Sequence, residues 1–124
     1  MSVWPWARGS LDTADRVGYW SNLNDGEVMA CALTGCLDGG TTLASGQNSP
    51  EAVAVDTSTV YWTNGASGQV MKCTIGGCNG SPVVFASSQA SPTVVALDAN
   101  NVYWTDFGSP DVHSTDGRVV MQAK

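Results

Sequence analysis

The side chains best suited to bind a cation or a polar ligand stand together near the C-terminus. Asp106, Asp111, His113 and Asp116 supply three carboxylates and an imidazole, and Phe107 adds an aromatic ring. Carboxylate oxygens are ligands of hard cations such as calcium, and imidazole is a frequent metal ligand. Asp and Ser also dominate ordinary turns, so the same stretch fits a solvated loop. Both interpretations stay open on residue types alone.

Four cysteines form two pairs with the same spacing, Cys31 with Cys36 and Cys73 with Cys78. Each pair is expected at the end of a strand and in the following turn, where a hairpin brings Cα atoms to the roughly 5.5 Å that a disulfide needs. We therefore predict two disulfides, and with them an oxidising compartment, extracellular or periplasmic. Free thiols or zinc are the alternatives, although C-x4-C is longer than the usual C-x2-C zinc motif.

Composition and charge restrict the partners. The 124 residues carry 11 acidic and 5 basic side chains, a net charge of −6, and the basic residues are scattered. Nucleic acid and anionic membranes are therefore unexpected partners. No apolar run approaches the roughly 18 residues that membrane insertion needs, and the N-terminus lacks the pattern of a signal peptide. Abundant glycine and the absence of a 3.6-residue apolar period predict an all-β domain.

A period of 42 residues organises the chain, because Tyr-Trp followed by a hydroxyl residue and Asn or Asp occurs at Tyr19, Tyr61 and Tyr103. The first unit begins around Asp12, which aligns on Asp56 with two extra residues before Tyr19. Each complete unit holds four strand candidates separated by turn residues. In the middle unit they cover residues 51–56, 59–64, 68–74 and 82–87.

Four antiparallel strands recurring every 40 to 45 residues predict the blades of a β-propeller. The blades are expected at about residues 6–45, 50–87 and 92–124, and the third lacks its outer strand. Apolar residues on both faces of the predicted strands fit a blade packed between two others. A two-sheet sandwich of about eleven strands is the alternative architecture.

The units resemble YWTD repeats, the six-bladed propeller family of lipoprotein-receptor ectodomains and many secreted bacterial proteins. The resemblance rests on the three Tyr-Trp segments, on Pro50 and Pro92 before the inner strands, and on Asp56 and Asp98 at their ends. It implies a six-bladed ring in which the two Asp residues accept structural hydrogen bonds and the Tyr-Trp pairs pack between blades. It does not imply an activity, since propellers host receptors, structural modules and enzymes.

The chain holds half of such a ring, because six units would need about 250 residues. A half-ring exposes the apolar faces of its first and last blades, each larger than the apolar patches of most soluble monomers. We therefore expect a homodimer that closes a six-bladed ring head to tail. The alternative is an excised piece of a longer protein that also self-associates. Residues 1–6 are a candidate to cover the open edge of the third blade in the partner.

The long loop of the third unit is the main departure from the repeat. It is seven or eight residues longer than its counterparts and contains Asp111, His113 and Asp116. An insertion on a repetitive scaffold is a common place for specificity. We predict that this loop, with Asp106 and Phe107, forms a ligand-binding face for a protein or a carbohydrate.

Enzyme signatures are missing from the sequence: there is no G-x-S-x-G elbow, no phosphate-binding loop and no histidine cluster. Glu51 is the only acid at the start of a predicted inner strand, and Thr93 takes its place in the next unit. The sequence favours a non-catalytic binding or assembly module with no catalytic residue, no metal site and no resident cofactor. The alternative is a calcium- or metal-dependent hydrolase or lyase with its site on the propeller axis.

Overall fold

The computed structural model describes residues 11–14, 16–35, 39–108 and 117–124. In these residues the fold is all-β, with eleven strands in three antiparallel sheets, and no helix there is long and apolar enough to cross a membrane. The first sheet contains β1 (Leu11–Ala14), β2 (Val17–Asn22), β3 (Glu27–Ala32) and β4 (Thr41–Ala44). The second contains β5 (Pro50–Val55), β6 (Thr59–Asn64), β7 (Gln69–Thr74) and β8 (Val83–Ala86). The third contains β9 (Pro92–Leu97), β10 (Asn101–Asp106) and β11 (Arg118–Ala123).

The three sheets are successive blades of a partial β-propeller, and the predicted fold class is confirmed. Strands follow one another in chain order across each sheet, which makes every blade a simple meander. Short turns make this order possible: Gly26 and Gly68, one period apart, both have a φ of 69° in the turn that follows the second strand. Such a φ suits glycine, because a Cβ atom is strained in that conformation. We refer to the sheets as blades 1, 2 and 3.

Strand pairing shows that blade 1 keeps the period from its first strand. Leu11 pairs with Trp20 as Val53 pairs with Trp62, so equivalent residues are 42 positions apart. The alignment of Asp12 on Asp56 was wrong. Ala14 is the equivalent of Asp56, because the turn after β1 has the same length as its counterpart after β5.

Two apolar clusters hold the blades together. Between blades 1 and 2, Tyr19 and Val28 pack with Val53, Val60 and Trp62. Between blades 2 and 3 a second cluster joins small residues of β5 to large residues of β10; it contains Ala52, Ala54, Tyr61, Val70, Val95, Val102 and Trp104. β6 is therefore buried on both faces, and five of its six residues are buried. This two-sided burial is what an interior propeller blade requires.

One of the two predicted disulfides lies within the described residues and is confirmed. Cys73, in β7, is bonded to Cys78 in the following connection, with the Cα atoms 5.4 Å apart. Cys36 lies outside the described residues, so the bond between Cys31 and Cys36 stays a prediction. A disulfide is typical of proteins that fold in an oxidising compartment.

Replacing Cys73 and Cys78 together by serine should lower the free energy of unfolding by about 2 kcal/mol, because the bond closes a short loop in the unfolded chain. Urea titration of parent and variant measures this difference. Mass spectrometry of the non-reduced parent should show the loss of four hydrogens and linked peptides for both cysteine pairs. Free thiols at Cys73 and Cys78 in protein purified without reductant would contradict the assignment.

Candidate functional site

In blades 2 and 3 the Trp of the repeat is held by a glutamine from the loop that enters the blade. Trp62 is fully buried, and its Nε1–H donates to Gln47 Oε1 at 3.2 Å. The Asn64 side-chain amide donates to the same oxygen at 2.8 Å. In blade 3, Trp104 Nε1–H donates to Gln89 Oε1 at 3.0 Å. Each tryptophan therefore fills an interblade junction while its single polar group stays paired.

The hydroxyl residues after Trp20 and Trp62 connect neighbouring blades. Thr63 Oγ1 accepts a hydrogen bond from the Ala52 amide at 3.2 Å, where the pairing of β5 with β6 shifts register. The same hydroxyl donates to the Thr93 carbonyl of blade 3 at 3.0 Å. Ser21 donates in the same way to the Glu51 carbonyl of blade 2 at 3.0 Å. The repeated Tyr-Trp-hydroxyl segment is thus a junction between blades.

Blade 3 presents this junction surface to solvent. Val119 pairs with Thr105 as Val70 pairs with Thr63, yet Val119 is 72% exposed and Val70 is 0% exposed. Val94 is 56% exposed, whereas its equivalent Ala52 is 6% exposed. β10 buries only alternate residues, in contrast to β6. We call the surface the free face of blade 3; it consists of Val94, Ala96, Tyr103, Thr105 and Val119.

Asp106 is buried at the end of β10 and takes the place of Asn64. Its Oδ2 accepts a hydrogen bond from Arg118 Nε at 3.2 Å, and its Oδ1 is buried with no hydrogen-bond partner among the residues that the structure describes. The carboxylate therefore faces a cation on the neighbouring strand. This contact gives Asp106 a structural role, and its contact with a ligand stays a prediction.

Replacing Arg118 by alanine should destabilise the chain by about 2 kcal/mol, because a buried carboxylate would lose its charged donor. The matched control combines Arg118→Ala with Asp106→Asn, which restores the side chain that blades 1 and 2 carry at this position. The double variant should recover most of the loss in a urea titration. Equal stability of the single variant and the parent would show that the ion pair contributes nothing.

Phe107 is the exposed aromatic residue of the predicted ligand-binding group. It replaces Gly65 of blade 2, and 73% of its surface is accessible. Its amide donates to the Ser91 carbonyl at 2.9 Å, which fixes the backbone beneath the ring. The ring borders a cleft of about 650 Å³ between blades 2 and 3, lined by small and polar residues of the loops that include Ser67 and Gln89. Asp111, His113 and Asp116 lie outside the described residues.

Asp56 and Asp98 accept hydrogen bonds from the turns that follow β5 and β9. Asp98 Oδ1 receives the amides of Asn100 and Asn101 at 2.8 and 2.7 Å, and Asp56 Oδ1 receives two equivalent amides at 2.8 Å. The Tyr103 hydroxyl donates to Asp98 and, with the two amides, lowers its pKa to about 2. Both carboxylates therefore stabilise turns.

No group of three or more metal-binding side chains occurs among the residues that the structure describes. Glu51, the acid at the start of β5, lies against Gly65, and burial raises its pKa. The alternative function, a calcium- or metal-dependent hydrolase or lyase, has its site on the propeller axis. It stays a prediction.

Two glutamines that hold Trp side chains were not predicted, and only their spacing in the repeat could have identified them. Gln47 and Gln89 are one period apart and follow a small residue in each unit. Their glutamine side chains gave no reason to separate them from ordinary loop residues. Arg118 has no such signal, because its two equivalents are not basic.

No family model matches the sequence, and no curated protein matches it significantly. Solved structures do resemble the fold. A crystal structure of a nidogen/laminin complex contains a chain that superposes with a TM-score of 0.73 at 23% identity, over 91% of this chain and 43% of that one. The computationally designed Ika4 protein gives 0.65 at 18% identity, over 91% and 63%. The designed Ika8 protein gives 0.57 at 16%, over 79% and 30%.

This chain therefore spans less than two thirds of the length of each of these structures. At such identities the similarity establishes the fold alone. It supports a propeller-like arrangement of blades, and the specific assignment to YWTD repeats stays a prediction from sequence.

Proposed function

We propose that the chain is a non-catalytic assembly and binding module, a half-propeller that pairs with a second copy to close a six-bladed ring. The observation that carries this proposal is the free face of blade 3. That face repeats the residue types with which blade 2 packs against blade 3, but Val94, Ala96 and Val119 are exposed and Tyr103 and Thr105 are only half-buried.

The contact between blades 2 and 3 within one chain shows what the proposed contact between two copies requires. Tyr61 and Val70 are buried because blade 3 places Val95, Val102 and Trp104 against them. Tyr103 and Val119 need an equivalent blade opposite them, and the Thr105 hydroxyl needs a carbonyl like that of Thr93. A blade of a second copy supplies both.

The number of blades in a closed ring favours two copies of the chain. Three blades per chain give six blades in a closed dimer, which is within the usual range of four to eight, whereas three chains would give nine. Each dimer contains two equivalent contacts between blade 3 of one copy and blade 1 of the other. The two-fold axis then coincides with the propeller axis, and the loop face of each half lies on the same side of the ring.

The ligand-binding part of the proposal rests on Phe107. An exposed aromatic ring beside backbone polar groups suits stacking on a sugar or packing against a protein side chain. One similar structure is that of a nidogen/laminin complex, which supports a protein as a candidate ligand. Secretion to an extracellular or periplasmic space fits the disulfide between Cys73 and Cys78.

Hydroxyl-radical footprinting at rising protein concentration tests the assembly surface. Tyr103 and its cross-strand neighbour Met121 should lose reactivity once the dimer forms, because the free face of blade 3 becomes covered. Phe107, exposed but on the loop face, should keep its reactivity and serves as the internal control. Unchanged reactivity of Tyr103 and Met121 at every concentration would overturn the proposed interface.

Replacing residues 109–115 by the Ala-Ser of the middle unit should leave folding and dimerisation intact, since loop tips tolerate such changes when the flanking strands keep their pairing. Binding to a glycan array and to candidate extracellular proteins should be lost with the loop. Circular dichroism and light scattering check the first expectation. Unchanged binding of every ligand of the parent would place the ligand site elsewhere.

A further inference from the structure

We propose that Asn79 is a site of spontaneous deamidation, at which the backbone nitrogen of Gly80 displaces ammonia from the side-chain amide. The site lies in the connection between β7 and β8. Because the strands of each blade are antiparallel, this connection is at the opposite end of the blade from the loop that contains Phe107. The proposal is therefore independent of ring closure and of ligand binding.

The chain contains two Asn-Gly sequences, Asn64-Gly65 and Asn79-Gly80. Glycine after asparagine favours the reaction, because the missing side chain leaves the glycine nitrogen accessible and the backbone free to turn toward the amide carbon. Asparagine is accordingly among the thermally labile residues of proteins. The two sequences are equivalent by residue type, and the structure separates them.

Asn79 and Gly80 are the two central residues of a tight turn in which the Ser81 amide donates to the Cys78 carbonyl at 2.9 Å. Their φ angles are 54° and 74°, the two positive values that a type I′ turn requires. Both residues are exposed, and a Cβ atom at Gly80 would meet nothing within 4 Å beyond its chain neighbours. Neither the Asn79 side chain nor the Gly80 amide makes a hydrogen bond with any residue that the structure describes. Both reacting groups are therefore open to water and to each other.

Asn64 is protected from the same reaction by its surroundings. The residue is 2% exposed, and its side-chain amide donates to Gln47 Oε1 at 2.8 Å. The nitrogen that would attack belongs to Gly65, and its N–H donates to the Ser49 carbonyl at 3.0 Å. Deamidation of Asn64 therefore requires local unfolding that breaks both hydrogen bonds and admits water.

The reaction at Asn79 needs water and no other reagent. Hydroxide removes the proton of the Gly80 amide, the nitrogen attacks Cγ of Asn79, and the bond from Cγ to the side-chain nitrogen breaks. Ammonia leaves with a proton from water, which restores the hydroxide, and a five-membered succinimide ring remains. Water then opens the ring at either carbonyl and leaves aspartate or isoaspartate at position 79. The product adds a negative charge to a chain whose net charge is already −6.

The test is incubation of the folded, oxidised chain at mildly alkaline pH, followed by peptide mass spectrometry that distinguishes aspartate from isoaspartate. Position 79 should convert to a mixture of both products. Its conversion should be at least about tenfold faster than that of Asn64, because Asn64 reacts only in locally unfolded molecules. The rate at Asn79 should rise with pH, since the attacking nitrogen must first lose its proton.

The control is the same chain unfolded in urea with its disulfide intact, in which both Asn-Gly sequences should react at similar rates. Three results would overturn the proposal: no conversion of Asn79 in the folded chain over a period that converts it in urea, equal rates at Asn64 and Asn79 in the folded chain, or aspartate formed without isoaspartate. Light scattering reads the oligomeric state separately, so failure of the proposed ring leaves this test intact.

Discussion

Replacing Trp62 by alanine should lower the free energy of unfolding by roughly 3 to 5 kcal/mol, the largest effect expected of any single substitution in this chain. Trp62 is fully buried between blades 1 and 2. Its removal leaves a cavity that the surrounding paired strands are too rigid to close. In the variant, Gln47 Oε1 also loses one of the two hydrogen bonds that it accepts. Equilibrium unfolding in guanidinium chloride measures the loss.

Phe107→Ala is the matched control, because it removes an aromatic ring that is 73% exposed. Its stability should change by less than about 0.5 kcal/mol. A cost below about 1 kcal/mol for Trp62→Ala would mean that the ring is not packed between blades. The Tyr-Trp segments would then be candidates for a ligand platform.

The second large effect is expected from Val119→Lys, which should weaken dimerisation at least about 100-fold. The substitution places an ammonium group on the free face of blade 3, and burying it in an apolar junction without a partner is costly. The dimer contains this junction twice, so the penalty applies twice. The fold of the single chain should be unaffected, because Val119 is 72% exposed there. Sedimentation equilibrium measures the dissociation constant.

Val84→Lys is the control for added charge. Val84 is 46% exposed on the outer strand of blade 2, away from the free face, and blade 1 carries the polar Thr42 at the equivalent position. This variant should dimerise like the parent. If Val119→Lys also dimerised like the parent, the free face of blade 3 would not be the contact surface.

Much of the fold was predictable from sequence because the pattern of four strands and their turns occurs in two complete copies. The strands of the middle blade were predicted to within one residue at each end, since turn residues bound every apolar run. The two-sided burial of β6 followed from apolar residues on both of its faces. The start of blade 1 was misaligned, because a single Asp is a weak anchor and only the pairing of Leu11 with Trp20 fixes the register.

The candidate site was less predictable, because it depends on contacts between distant residues. Asp106 looked like a ligand at a loop entrance, and its burial beside Arg118 follows only from the pairing of β10 with β11. The role of Gln47 likewise depends on its reaching a Trp fifteen positions further along the chain. Phe107 stands where blade 2 has Gly65 and blade 1 has Leu23, so the repeat does not predict whether this position is buried or exposed.

The most direct test of the proposed ring is the molar mass of the purified chain by light scattering across micromolar concentrations. The proposed closure of two half-propellers predicts about 26 kDa, twice the 12.9 kDa of one chain. A constant mass of one chain over the whole range would contradict it.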